Sequence, residues 1–416
     1  MASLYLLIPF AVAGAVVLRR RGDPLRILVV PVVFVVLVAA HSSFFMKIGG
    51  SDSLTHFRFD FSVRVFFMIS AFLLYRPWVR ARLADWKPPS TRAYAWRRFL
   101  RIPPAYWVAL TVISIWLGID YVFSGHGIWT YYGLLQVYQP GWAVGGLPQA
   151  WSLAVEVGFY ALLPLWGALM ARLPASGLHA RLRQQLIGCA VLFAASLVYK
   201  LIVTATGAIE GDDGLPFQLN TLTFLDDFAI GMTLAVASAF YEGRTDIPRP
   251  LRLLDRYPSI SWGLALLVLG ATSLAVGLFG RVAQNISGAE YLTRHYLLAL
   301  IAVGLLLPAV FGNPAHGLVR RFLAWRTLSY IGLISYGIYL WHFAVLIQLE
   351  RWNFRDVAAS TGQWIWFVAG LAGGTLFATI SWYVLEKPLL GLKGRVKPRP
   401  GPKPGEAIVE PAGAAR

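Results

Sequence analysis

Few residues in this sequence are placed to do chemistry. His41, Glu156, Asp226, Asp227 and His342 stand inside otherwise apolar runs, and Arg98 and Arg101 close the basic stretch Arg97-Arg98-Phe99-Leu100-Arg101. An ionisable group in an apolar run of about 20 residues, long enough to cross a bilayer as a helix, is costly unless it faces a cavity, a partner or a substrate path. Burial favours a neutral imidazole, and a neutral imidazole can take a proton from a hydroxyl. Guanidinium groups three residues apart share a helix face and suit a phosphorylated ligand.

Each of these residues also has a plainer reading. His41 could be a satisfied core histidine, and His342, following Trp341, could donate to a carbonyl. At least one of Asp226 and Asp227 reads as hydrated near the interface. Spacing alone favours a cytoplasmic anchoring role for the arginines. Glu156, within the apolar run Trp151 to Leu165, needs a partner. His56, His126 and His295 fall in or beside outer loops, His179 and His316 in inner ones, and all five read as solvated.

The elements that must position these groups are membrane helices. The 416 residues are 57% hydrophobic and only 14% charged, against about 25% charged in a soluble domain. Apolar windows at 3–18, 25–46, 61–78, 102–122, 151–170, 186–205, 221–240, 261–279, 296–312, 328–348 and 364–385 predict an all-α polytopic bundle of ten to eleven transmembrane helices. With 19–26 placed in the cytoplasm, the inner loops and the C-terminal tail hold 29 of the 37 Lys and Arg. That bias orients the chain with its C-terminus cytoplasmic and absorbs the net charge of +17 without any nucleic acid. The single cysteine, Cys189, excludes a disulfide framework and a thiol metal site. Three segments are expected: an extra helix and basic loop at 1–24, a transmembrane domain at 25–390, and a disordered basic, Pro-rich tail at 391–416.

Depth follows from about 1.5 Å of rise per residue. His41 lies roughly 22 Å above Arg26 and Glu156 about 8 Å below the outer face. Asp226 and Asp227 descend to a similar level, and His342 reaches it from below, so one polar layer is predicted from four helices.

The motifs at these places resemble the membrane acyltransferase 3 family of O-acyltransferases. The resemblance rests on Phe66-Phe67-Met68-Ile69-Ser70-Ala71-Phe72-Leu73, Arg97 through Tyr106 and Trp151-Ser152-Leu153-Ala154-Val155-Glu156-Val157-Gly158-Phe159-Tyr160. It continues with Phe228-Ala229-Ile230-Gly231-Met232, Ile334 through Phe343, and Leu385-Glu386-Lys387-Pro388. It implies transfer of an acyl group, often acetyl, from cytoplasmic acyl-coenzyme A to a hydroxyl of a polysaccharide, glycolipid or small molecule, by a protein of the inner or plasma membrane with no metal and no bound cofactor. His41 matches the family's early histidine, as base or transient acyl carrier, with Glu156 orienting it or the acceptor. Arg98 and Arg101, with Arg97, would hold coenzyme A phosphates, and His342, Ser152, Arg26 and Asp227 take supporting places.

The sequence departs from the family pattern at several points. Val30 stands where members carry a basic residue, with Arg26 one turn lower; Ala71 replaces a glycine; the helix at 3–18 is additional; and no hydrolase-like domain follows Glu386. An expected gap in depth of about 20 Å between the arginines and His41 calls for the long pantetheine arm or an acyl relay. Two contrasting readings use the same polar layer: a transporter or lipid-binding bundle, and an inactive assembly partner, which Val30 favours.

Overall fold

The computed structural model describes residues 61–210, 214–275, 287–311, 326–354, 364–399 and 408. No strand occurs among the described residues. The longer helices are α1 (Phe61–Leu83), α2 (Thr91–Arg101), α3 (Pro103–Leu117), α4 (Trp151–Arg172), α5 (Leu178–Ala205), α6 (Leu225–Tyr241), α7 (Arg249–Arg256), α8 (Pro258–Ala275), α9 (Gly288–Val310), α10 (Arg326–Arg351), α11 (Trp364–Ser381) and the short α12 (Lys387–Gly391). Nine of them fall on the expected spans from 61–78 onward. Seven helical stretches among the described residues are long and apolar enough to cross a membrane, so the chain is a multi-pass helical membrane protein. The expected spans at 3–18 and 25–46 lie outside the described residues, and with them Arg26 and His41.

Local sequence explains the helix ends that matter for the site. Ser90 caps α2, its hydroxyl accepting from Ala93 N and satisfying a backbone donor that has no partner within the helix. Pro103 and Pro104 open α3, where their missing N–H groups cost nothing and their fixed φ suits a first turn. The chain therefore breaks at Ile102 and starts a new helix immediately. The window expected at 221–240 begins as a helix only at Leu225. The preceding residues form an irregular turn held by Asn220, whose side-chain oxygen accepts from Leu222 N at 2.9 Å and Thr223 N at 3.1 Å.

The transmembrane domain expected over 25–390 divides into two compact units. One runs Phe66–Ile247 and adds Arg281–Tyr296 and Tyr383–Arg416; the other takes in Pro248–Gly280 and Leu297–Trp382. In the first, α1, α4 and α6 share an aromatic core: Phe159 and Phe228 stack with centroids 4.1 Å apart, and Phe67 lies 5.0 Å from Phe228. The approach of α6 to α1 requires Gly231, because a Cβ there would stand 2.2 Å from Met68 O, the small-residue contact on which membrane helices rely. In the second unit, α10 packs along α11, with Trp341 stacked 5.3 Å from Phe377. There α8 meets the later half of α9 through Ser261 Oγ donating to Gly304 O at 2.6 Å and Trp262 Nε1 to Leu305 O at 3.0 Å.

Of the tail expected at 391–416, residues 391–399 and 408 are described. Leu392–Arg395 form a 3₁₀ turn. Trp96 Nε1 of α2 donates to Leu392 O at 3.2 Å, and Arg399 to Pro88 O at 2.8 Å.

Candidate active site

Glu156 sits in the second turn of α4 with 1% of its surface exposed. It accepts a hydrogen bond from the hydroxyl of Ser70 on α1, and the Tyr160 side chain, one turn along α4, interacts with the same carboxylate. Tyr160 is also where α2 docks. Tyr94 Oη donates to Tyr160 O at 3.2 Å, and the Arg98 guanidinium carbon lies 5.7 Å from the Tyr160 ring centroid. The charges of Arg98 and Arg101 both act on Glu156.

Tyr160 is nine residues into a helix of 22, about 14 Å from its start, and Arg98 approaches it there. Ser70, Arg98 and Arg101 are half-buried, so a ligand can reach them while Glu156 itself is covered. Arg97 is half-buried on the same helix.

Asp226 and Asp227, at the start of α6, are 1% and 0% exposed, which overturns the hydrated reading for both. Lys200 of α5 forms an ion pair with Asp226, and its Nζ lies 2.6 Å from His295 Nε2 on α9. His295 Nε2 is in turn 3.2 Å and 3.1 Å from the two Asp226 oxygens. His295, expected to be solvated, is 2% exposed, because the first turns of α9 pack on α5. Sequence reasoning missed Lys200, although a lysine within the apolar run 186–205 carries the same signal that marked Glu156. Asp226, Asp227 and His295 bring potential metal-ligating atoms within 4.8 Å of one another. The Lys200 ammonium already supplies the positive charge at Asp226 and His295, so the set is an ion-pair cluster.

His342 is fully buried on α10, in the other unit. Its Nδ1 lies 2.8 Å from Ile338 O, one turn back, which places a proton on Nδ1 to serve that carbonyl. Ser152 is buried in the first turn of α4, its hydroxyl donating to Gln149 O at 3.1 Å. Among the described residues, then, Glu156, Arg98 and Arg101 come together in one unit.

The acyltransferase domain family matches residues 32–383. The chain belongs to the acyltransferase 3 family. It is similar to the acyltransferase MdmB of Streptomyces mycarofaciens, 26% identical over 383 residues that cover 83% of this chain and 85% of that protein. It is also similar to the peptidoglycan O-acetyltransferase OatA of Listeria monocytogenes, at 24% identity over 88% of this chain and 55% of OatA. Nodulation protein 10 of Rhizobium leguminosarum bv. viciae is 24% identical over 80% of this chain and 82% of its own length. The chain thus spans about half of OatA but most of the other two. No solved structure matches it. As a member of this family, the protein is a membrane-embedded transferase of acyl groups.

Proposed function

We propose that this acyltransferase moves an acyl group, acetyl in the first instance, from cytoplasmic acyl-coenzyme A to a hydroxyl of a carbohydrate, glycolipid or glycosylated small molecule. It would act in the inner or plasma membrane, with its C-terminus in the cytoplasm. The observation that carries the reading is the covered Glu156 carboxylate with a hydroxyl bound to it and two guanidinium charges acting on it. Ser70 occupies the position an acceptor hydroxyl needs, donating to a carboxylate that can orient it or draw off its proton. Arg98 and Arg101 can take a phosphate or the developing charge on a thioester oxygen, where fixed cations stabilise a transition state most. His41 is assigned the base, or the transient acyl carrier, by its place in the sequence, with Arg26 below it; His342, Ser152 and Asp227 keep supporting places.

The relatives' names support a hydroxyl acceptor, since OatA is named for O-acetylation of peptidoglycan. MdmB, named an acyltransferase, is similar along most of its length. We take the unit of function to be the transmembrane domain at 25–390, preceded by the helix and loop at 1–24 and followed by the basic tail at 391–416.

The test is thioester consumption by purified protein in proteoliposomes, with acetyl-coenzyme A and a cell-envelope extract as acceptor. Free thiol release is followed for the wild type, His41→Ala, Glu156→Gln and Arg98→Ala/Arg101→Ala. Release that depends on Glu156 and His41 is the expected result. No release by the folded wild type with acetyl- or longer acyl-coenzyme A would overturn the donor assignment.

A further inference from the structure

We infer that the Lys200–Asp226–His295 cluster is a positioning device for Glu156, acting through the turn at 219–224; this deepens the reading of Glu156 given above and rests on it. The cluster joins α5, α6 and α9, and its three members are 0%, 1% and 2% exposed. It lies on one side of the turn. Lys200 Nζ reaches Thr223 O at 3.4 Å as well as Asp226. One turn earlier on α5, Ser196 Oγ is 2.8 Å from Leu222 O and 3.0 Å from Thr223 O. Asn220 ties the turn to α5 from the other end, its Nδ2 lying 2.6 Å from Tyr199 Oη. The carbonyls of 222 and 223 are thus held by side chains of a neighbouring helix.

The other side of the turn meets α4 at the catalytic carboxylate's own turn. Thr221 Oγ1 donates to Val155 O at 3.2 Å and pairs with Tyr138 Oη at 2.7 Å. Val155 is the residue before Glu156. Gly158 makes the approach possible, because a Cβ there would lie 2.2 Å from Thr221 Oγ1. Aromatic contacts follow the same route: Phe224 lies 5.9 Å from His295 and 5.6 Å from Trp151, the first residue of α4. The ion cluster therefore sets the place of Thr221, and Thr221 sets the register of Val155–Gly158 against the turn. A displacement of about 1 Å at a reacting group can cost up to 100-fold in rate, so a rigid brace here has kinetic value. The cluster does not touch the reacting atoms and is assigned no catalytic step.

Charge-free Lys200→Met/Asp226→Asn tests this without leaving a buried ion unpaired, and Thr221→Val removes only the bridging hydroxyl. Each is assayed for kcat, KM for acetyl-coenzyme A and thermal midpoint, beside Glu156→Gln and the combined triple variant. A fall in kcat of about tenfold with KM within about twofold is expected for each, and the triple variant is expected to be no worse than the poorer of the two. Unchanged kcat in the folded charge-free protein, losses that multiply, or losses that follow the thermal midpoint alone would each overturn the proposal. If the charge-free protein does not insert, Thr221→Val decides, and an unchanged kcat overturns the proposal. If Glu156→Gln keeps full activity, the assignment of Glu156 fails and not the brace.

Discussion

Two of the carboxylates buried in the first unit, Glu156 and Asp226, are treated differently. Asp226 is closed off with its own partners: Lys200 forms an ion pair with it, His295 lies within hydrogen-bonding distance, and both are as buried as it is. Glu156 is equally covered, but its hydrogen-bonding partner Ser70 and the cations acting on it, Arg98 and Arg101, are half-buried. A buried charge surrounded by buried partners leaves no room for a substrate. One whose partners keep part of their surface open can exchange them for a ligand. Burial of an ionisable group in a membrane protein thus marks a place worth examining, and the exposure of its partners separates a brace from a site.

The comparison predicts opposite signatures on mutation. Glu156→Gln keeps the shape and the hydrogen bond from Ser70 but removes the charge, so the protein should insert and melt normally while acyl transfer falls by about 10²-fold or more, the contribution of a positioned acid–base group. Thiol release and thermal midpoint, measured on the same preparation, check both halves. Lys200→Met alone should do the reverse. It takes the ammonium away from the buried Asp226 carboxylate, a loss of roughly 3–5 kcal/mol when a buried pair is broken on one side, which should appear as a large fall in thermal midpoint or failure to insert. Restoration by the second change, Asp226→Asn, would confirm that the unpaired charge was the cause. Normal melting of Lys200→Met would place the two carboxylates in one class and dissolve the distinction.

How far the sequence discloses these two regions depends on periodicity and partners. The spans from 61–78 onward were legible because apolar runs of membrane length have few alternatives. The turn at 219–224 was not, since its leucines and phenylalanine lead straight into the apolar helix that follows, and the α5 side chains that help to hold it are more than 20 residues away. Glu156 stood out as a lone carboxylate in an apolar run. Lys200 stands in the apolar run 186–205 and carries the same signal. Its pairing with His295, 95 residues away, is a tertiary fact that no spacing rule contains. The break at Ile102 was legible in Pro103-Pro104, which open α3. His295 was misplaced because apolar windows mark span limits only approximately, and one further turn of α9 carries the ring inside.

The half-buried partners of Glu156 sharpen the comparison from the ligand side. If Arg98 and Arg101 meet the donor's phosphates, each replacement by alanine should raise KM for acetyl-coenzyme A by about tenfold, close to the 1.5–3 kcal/mol of a charged hydrogen bond, and leave kcat less affected. If instead they act on the thioester oxygen, kcat and kcat/KM should fall together. Initial rates across a donor series shortened from the nucleotide end distinguish the two, because a phosphate contact becomes irrelevant once the phosphates are gone.

The smallest effect concerns the element that carries those arginines. Ser90 caps α2 by accepting from Ala93 N at 3.3 Å, and its loss to alanine should cost about 1 kcal/mol of local helix stability. α2 is held elsewhere by Tyr94 on Tyr160 O and by Trp96 on Leu392 O. The first turn should therefore fray without moving Arg98 or Arg101, which lie at the far end. Ser90→Ala is then expected to raise amide hydrogen exchange at 91–94 while KM changes by less than about twofold, since a loss of about 1 kcal/mol confined to the first turn is not transmitted to the last. A KM increase as large as that of Arg98→Ala would mean that α2 moves as one rigid rod on its cap. The openness of the Glu156 site would then depend on the helix as a whole rather than on its two arginines.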